Sequence, residues 1–353
     1  MTDHSETKTA IVVTSIAEPN AALQALARGC RERGHTFIVI GDEPSPTDFS
    51  LDGCDFFGLH QQRDLGLKLA ILCPTRHYAR KNVGSLLAMR AGATLIIETD
   101  DDNTPYATFW QQRTRKQTVR TVINPGWLNA YRYFTDVNIW PRGFRLDRIT
   151  APQLAFEDLA THTVDAPIQQ GLADLDPDVD AIYRLTHTAP VSFRKDRRVA
   201  LGRNVWCPFN SQNTTHWADA FPLLYLPSSC TMRMTDIWRG FIAQRIAWEN
   251  NWSLLFHEPT VEQARNQHDL MSDFADELAG YLRNDDICDT LGRLQLQAGL
   301  EHLGENLLIC YEELVSKNVF DPNELKLVEA WLSDIKQIKT EARQDRATSA
   351  LSQ

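Results

Sequence analysis

Three consecutive acids, Asp100, Asp101 and Asp102, follow directly on the apolar, β-branched run 94–97. A run of that composition reads as a buried strand, and Asn103 with Pro105 turns the chain out of it. Hard oxygen ligands would then stand at the carboxyl end of a parallel strand, where open α/β sheets bind ligands. Like charges so close repel one another, and a divalent cation among them reverses the balance. The chemistry this points to is a sugar-nucleotide diphosphate held through Mg²⁺ or Mn²⁺. The same acids also suit a solvated turn that caps a helix.

Other residues stand where they could complete such a site. Asp42 follows the strand-like Phe37–Ile40 through Gly41, placing a carboxylate beside a nucleotide crevice, within reach of a base or ribose. Arg80 and Lys81 open a helix, where cations oppose the helix dipole unless an anion is bound; with the helix amides they suit a diphosphate. Arg142 lies between Pro141 and Gly143 and is flanked by Trp140 and Phe144, an arrangement for binding an anion or a sugar. Asn210 and Asn213 offer amides that read hydroxyl groups. Asp236, near the start of a helix, is a candidate general base for an acceptor hydroxyl, and equally an N-cap. His257, at the end of the apolar run 252–256, is a candidate third metal ligand, with Glu262 and His268 as alternatives.

The elements that must position these residues read as alternating strand and helix over residues 9–110. Strands are expected at 10–16, 36–40 and 55–59, and helices from Pro19 to Arg33, from Gln61 to Leu69 and from Ala79 to Ala91. Such alternation predicts a parallel sheet with right-handed crossovers. Residues 120–265 are irregular, and 261–339 carry helical apolar spacing, including Leu291, Leu294, Leu296, Leu300 and Leu303. The expected division is a catalytic domain over 1–265, a helical C-terminal part over 266–340 packed on the sheet, and a frayed tail over 341–353.

The chain has 353 residues and a net charge of −10, which argues against nucleic acid as the main partner. Seven scattered cysteines, with no Cys-x-x-Cys pair, fit a reducing cytoplasm better than a disulfide or zinc framework. The N-terminus lacks the apolar segment of a signal peptide, and no apolar run is long enough to span a membrane. A cytoplasmic protein is expected.

Together the segments 37–46, 78–87, 99–102, 140–143, 167–180, 208–213 and 236–245 resemble the STELLO family of glycosyltransferase-like proteins. More distantly, they are similar to the reversibly glycosylated polypeptides, the plant UDP-arabinopyranose mutases. The resemblance spans roughly residues 10–265. It implies a GT-A-type fold, a Rossmann-like, mostly parallel mixed sheet, here with a helical C-terminal extension. It also implies a metal-dependent, inverting glycosyltransferase that uses a UDP-sugar donor and an acceptor hydroxyl. Asp100 and Asp102 become an Asp-x-Asp pair binding Mn²⁺ or Mg²⁺, with Asp101 or Asp102 nearest the metal. Lys81 or Arg80 meets the diphosphate, Asp236 is the base, and Arg142 lies near the sugar. STELLO-type motifs usually read Asp-Asp-Arg, whereas the third position here is Asp102. The alternatives are a non-catalytic sugar-nucleotide-binding scaffold, with the C-terminal helices as a face for a partner or a second copy, and a UDP-sugar mutase.

Overall fold

A computed structural model describes residues 7–187, 190–265 and 269–351, with side chains to Asp345. The first half contains β1 (Thr9–Thr14), α1 (Ala21–Arg33), β2 (Thr36–Ile40), β3 (Asp55–Phe57), α2 (Leu59–Arg63), α3 (Lys68–Leu72), α4 (Lys81–Arg90), β4 (Leu95–Thr99) and β5 (Asn103–Pro105). Then come β6 (Lys116–Val122), β7 (Gly126–Trp127), β8 (Thr161–Leu175), α5 (Ala181–Thr186), β9 (Arg198–Leu201), β10 (Val205–Trp206) and β11 (Asn213–Trp217). The chain ends with α6 (Thr235–Glu249), β12 (Trp252–Gln263), α7 (Leu270–Arg293), α8 (Leu303–Ser316) and α9 (Glu324–Leu351).

The architecture is mixed α/β. Strands β3, β2, β1 and β4 lie parallel, as the alternation implies. Beyond β4 the ten-stranded sheet becomes mixed: β11 runs antiparallel to both β4 and β8, and β8 runs parallel to β12. One direction is therefore shared by β1, β2, β4, β8 and β12. Their carboxyl ends form a single edge, and the beginning of β11 meets them there. This is the edge at which open sheets bind ligands.

Buried apolar strands separate two core layers. On one face α1 packs Leu23, Leu26 and Cys30 against Ile11, Val39 and Ile97. Asn20 caps this helix by accepting from Leu23 N (2.9 Å), and Gly34 ends it at φ 65°, where a side chain would be strained. On the other face α4, α6, α8 and α9 share one core with Val12, Ile38 and Ile96. The helices beyond residue 265 are thus anchored to the sheet. Asp334 accepts from the Lys68 and Leu69 amides, and Glu324 accepts from Tyr225 and the Ser229 amide.

Three expectations about helices need correction. The 61–69 helix is two short helices, because Gly66 takes φ 68° between them. The apolar spacing from Leu291 to Leu303 is no helix: α7 stops at Arg293, Arg245 binds the Leu291 and Leu294 carbonyls, and Gly299 bends the chain at φ 115°. The tail is helical to Leu351, as its run of strong helix formers without Gly or Pro favours. Among the described residues no helix is long and apolar enough to cross a membrane.

Candidate active site

The acids after β4 diverge, each toward a different element. Asp100 Oδ1 accepts from Tyr78 Oη (2.8 Å) and from Lys81 Nζ (3.0 Å). Asp101 accepts from Ser15 Oγ (2.5 Å), and its carbonyl accepts from Asn20 Nδ2 (2.7 Å), tying the strand end to β1 and α1. Both carboxylate oxygens of Asp102 accept from Gln263 Nε2, at 3.1 and 3.0 Å. Burial, and then the neighbouring Asp100, push the Asp102 carboxyl up to about 7. Burial and Asp100 also raise Asp101, against the opposing pull of its bond to Ser15.

Lys81 is fully buried beneath this edge. Its ammonium meets Tyr78 Oη (2.6 Å), the Thr99 carbonyl (2.8 Å) and the Ser211 carbonyl (3.2 Å) besides Asp100. Tyr78 Oη also lies 2.7 Å from Ser211 Oγ, and burial with the charges of Asp100 and Asp236 keeps its phenol protonated. Ser211 donates through its amide (3.2 Å) and hydroxyl (3.3 Å) to Asp236 Oδ2. The network runs on: Arg142 spans both oxygens of Asp236 (3.0 Å each) and both of Asp178 (2.7 and 2.8 Å), and Asn210 Nδ2 donates to Asp178 (2.8 Å). Burial works against the Arg142 charge, but Asp178 and Asp236 outweigh it. One turn further along α6, Arg239 pairs with the buried Glu98 of β4 (2.9 Å). The sequence candidates Asp100, Lys81, Asp236, Arg142 and Asn210 are therefore joined by one chain of hydrogen bonds.

Asp236 and Arg142 do not stand as the sequence expectation has them. Arg142 is saturated by two carboxylates and the Arg233 carbonyl, so it presents no fork to a sugar or an anion. Asp236 gives both oxygens to Arg142 and is buried, which is the environment of a positioning group. Arg80 does not face the edge. The 3₁₀ turn Tyr78–Arg80 directs it inward, where Gln62 and the Ala70 and Cys73 carbonyls take its donors. Asn213 is consumed inside the sheet by Leu172 and Thr260. Asp42 remains half-buried at the edge, accepting from the His77 amide (3.0 Å).

His257 is not a partner of the acids. It pairs in register with Gly171, four residues before the Leu175 partner of Gln263, which is roughly 13 Å back from the edge. Its ring faces the Glu258 carbonyl, and burial, followed by Arg113, depresses it. Glu262 points instead to Tyr106, which bridges it to Asp174. His268 lies outside the described residues. Among the described residues, no three His, Cys, Asp or Glu side chains converge as a ready-made metal cage.

Sequence reasoning missed Ser15, Tyr78, Asp178, Ser211 and Gln263. Ser15 follows β1 as Asp42 follows β2, so strand ends were the available signal. A cavity of about 10 Å³ beside Phe209, Trp248 and Trp252 holds one water at most and lies away from this edge.

Residues 233–344, from α6 onward, match the family model described as STELLO glycosyltransferases. Two Arabidopsis thaliana proteins, "Probable glycosyltransferase STELLO1" and "Probable glycosyltransferase STELLO2", are each 27% identical, over 94% and 92% of this chain. The chain is thus similar to STELLO-type proteins over most of its length. It spans only 44% of the length of either relative. A solved chain, "Crystal Structure of a Mycobacterial Protein", is 10% identical with a TM-score of 0.41, covering 79% of this chain and 75% of its own. The STELLO-type match thus includes α6, with Asp236 and Arg239, and the helices that anchor to the sheet.

Proposed function

We propose that this chain is a GT-A-type glycosyltransferase that binds a nucleotide-sugar, a UDP-sugar by family resemblance, at the carboxyl edge and transfers the sugar to an acceptor hydroxyl. The observation that carries this reading is the meeting of Asp100–Asp102, Asp42 and Ser15 on one edge, in a chain similar to STELLO-type proteins. The donor set fits a divalent cation, because Asp100 and Asp102 are hard oxygen groups that lie close enough to raise the Asp102 carboxyl. Asp100 and Asp102 would hold Mn²⁺ or Mg²⁺, with the diphosphate and water completing the shell. When bound, the cation offsets the diphosphate charge and improves the leaving group.

The remaining roles belong to the chain itself. Lys81 and Tyr78 fix the orientation of Asp100 from below. Asp42 stands on the nucleoside side of the crevice, suited to accept from a ribose or base. Asp236 enters as a positioning group: it holds Ser211, and through Ser211 and Tyr78 reaches the acidic strand end.

The test is product analysis with purified protein, Mn²⁺ and a panel of UDP-sugars. Release of UDP with transfer or hydrolysis of the sugar is expected, abolished in Asp102→Asn. Binding of UDP-sugar without any turnover would favour a non-catalytic sugar-nucleotide-binding protein, a reading to which the sequestration of Asp236 by Arg142 lends weight. Ring-isomerised UDP-sugar in the products would identify a mutase.

A further inference from the structure

The sheet face covered by α1 holds a second polar cluster, and its charges are of the opposite sign. Arg113 lies in the coil between residue 110 and β6, where its Nη1 donates to the Phe109 carbonyl (2.9 Å). Its Nε and Nη2 are shut off from solvent and, among the described residues, have no hydrogen-bond partner. Burial alone pushes this guanidinium down to about 10, with no carboxylate offsetting it. The groups around it are cationic or can become so. Arg113 sits over the Phe109 ring (5.3 Å), Phe109 meets Trp110 edge-on (4.9 Å), and Trp110 carries Arg33 (4.8 Å) and the stacked ring of His35 (6.5 Å). The His35 imidazole is depressed by burial and then by Arg33 and Arg113. Among the described residues Arg33 forms an ion pair with Glu32, which is itself exposed, and its Nη1 also donates to the Gly29 carbonyl (3.0 Å).

A desolvated guanidinium with two unused donors is a costly arrangement unless a partner arrives. The unused pair, Nε and Nη2, is the edge that matches two oxygens of a phosphate. Arg33 and Asn20 stand at opposite ends of the thirteen-residue α1, and Asn20 binds Asp101. The cluster is therefore about 20 Å from the acidic edge.

We propose that Arg113, assisted by His35 and Arg33, forms a phosphate-binding site on the α1 face, separate from the nucleotide-sugar edge. Two phosphate oxygens accept from the Nε–Nη2 edge once the largely buried side chain turns outward to meet them, and the Phe109–Trp110 pair walls the site.

The experiment is calorimetric titration of the full chain with inorganic phosphate and, separately, with a sugar 1-phosphate, both in EDTA so that no cation bridges the acidic edge. Wild type and Asp102→Asn are expected to bind alike. Arg113→Gln should bind about tenfold more weakly or worse, and Arg113→Lys should fall between, because lysine lacks the fork. Tighter binding of the sugar phosphate would mark a phosphorylated sugar as the ligand; equal binding would mark the free anion. Unchanged affinity in Arg113→Gln, or no phosphate binding by wild type in the millimolar range, would overturn the proposal. Loss of binding in Asp102→Asn with retention in Arg113→Gln would overturn it too, by assigning the phosphate to the acidic edge.

Discussion

Two groups of carboxylates occupy the same edge of the sheet and are treated in opposite ways. Asp178 and Asp236 are buried, and a single guanidinium, Arg142, contacts all four of their oxygens. Asp100, Asp101 and Asp102 are half-exposed and fan apart, and their mutual repulsion adds to the burial that raises two of them. The first group is electrostatically complete and fastens α6 beside the sheet. The second leaves negative charge uncompensated in a place where a ligand can supply the difference. The contrast separates the part of the site that is scaffold from the part that is poised to bind.

The largest effect should come from breaking the completed group. Arg142→Met strands two buried carboxylates and is expected to destabilise the fold by roughly 3–5 kcal/mol in urea unfolding. A loss below about 1 kcal/mol would mean that water reaches Asp178 and Asp236, and the contrast would fail.

The open group should reveal itself through pH. Asp102 is raised from 3.8 to about 7 in the folded chain, so between those values the folded state binds the extra proton. Stability associated with this group is therefore present at low pH and is lost as pH rises through about 7. Asp102→Asn should flatten that decline and be more stable than wild type at pH 8. Parallel stability–pH curves for the two proteins would contradict the raised carboxyl.

A smaller effect should come from the link between the groups. Tyr78→Phe removes one hydroxyl that meets Lys81, Asp100 and Ser211, and should cost about 0.5–1.5 kcal/mol of stability while loosening Asp100. A detectable fall in Mn²⁺ affinity is expected alongside it. Unaltered Mn²⁺ affinity would show that Asp100 needs no positioning from Tyr78.

How much of this was legible in the sequence follows the same division. Local signals worked where one element sufficed: Phe37–Ile40 and the strand before Asp100 are apolar runs with clear ends, and Asn20 and Gly34 bracket α1. Reading failed where partners come from distant chain segments. Nothing near Arg142 announces that Asp178 and Asp236 will close on it from 36 and 94 residues away. Arg80 reads as a diphosphate ligand because it stands with Lys81 at a helix start, where a cation opposes the dipole, yet a 3₁₀ turn carries it into the loop before it. His257 looked like a strand-end ligand because the apolar run stops there, although β12 continues through a bulge to Gln263. The polar strand β8, with Asp165, Gln169 and Gln170 inside a sheet, carries no alternation that a periodicity reading could find.

The central claim, that the acidic strand end is the donor site, is tested most directly by thermal unfolding with saturating UDP-sugar, with and without Mn²⁺, on wild type and Asp102→Asn. A ligand at 100 times its dissociation constant stabilises by about 2.7 kcal/mol, well within detection. Mn²⁺-dependent stabilisation of wild type that disappears in Asp102→Asn is the expected result. Equal stabilisation of both proteins, or none of wild type by any UDP-sugar, would contradict it.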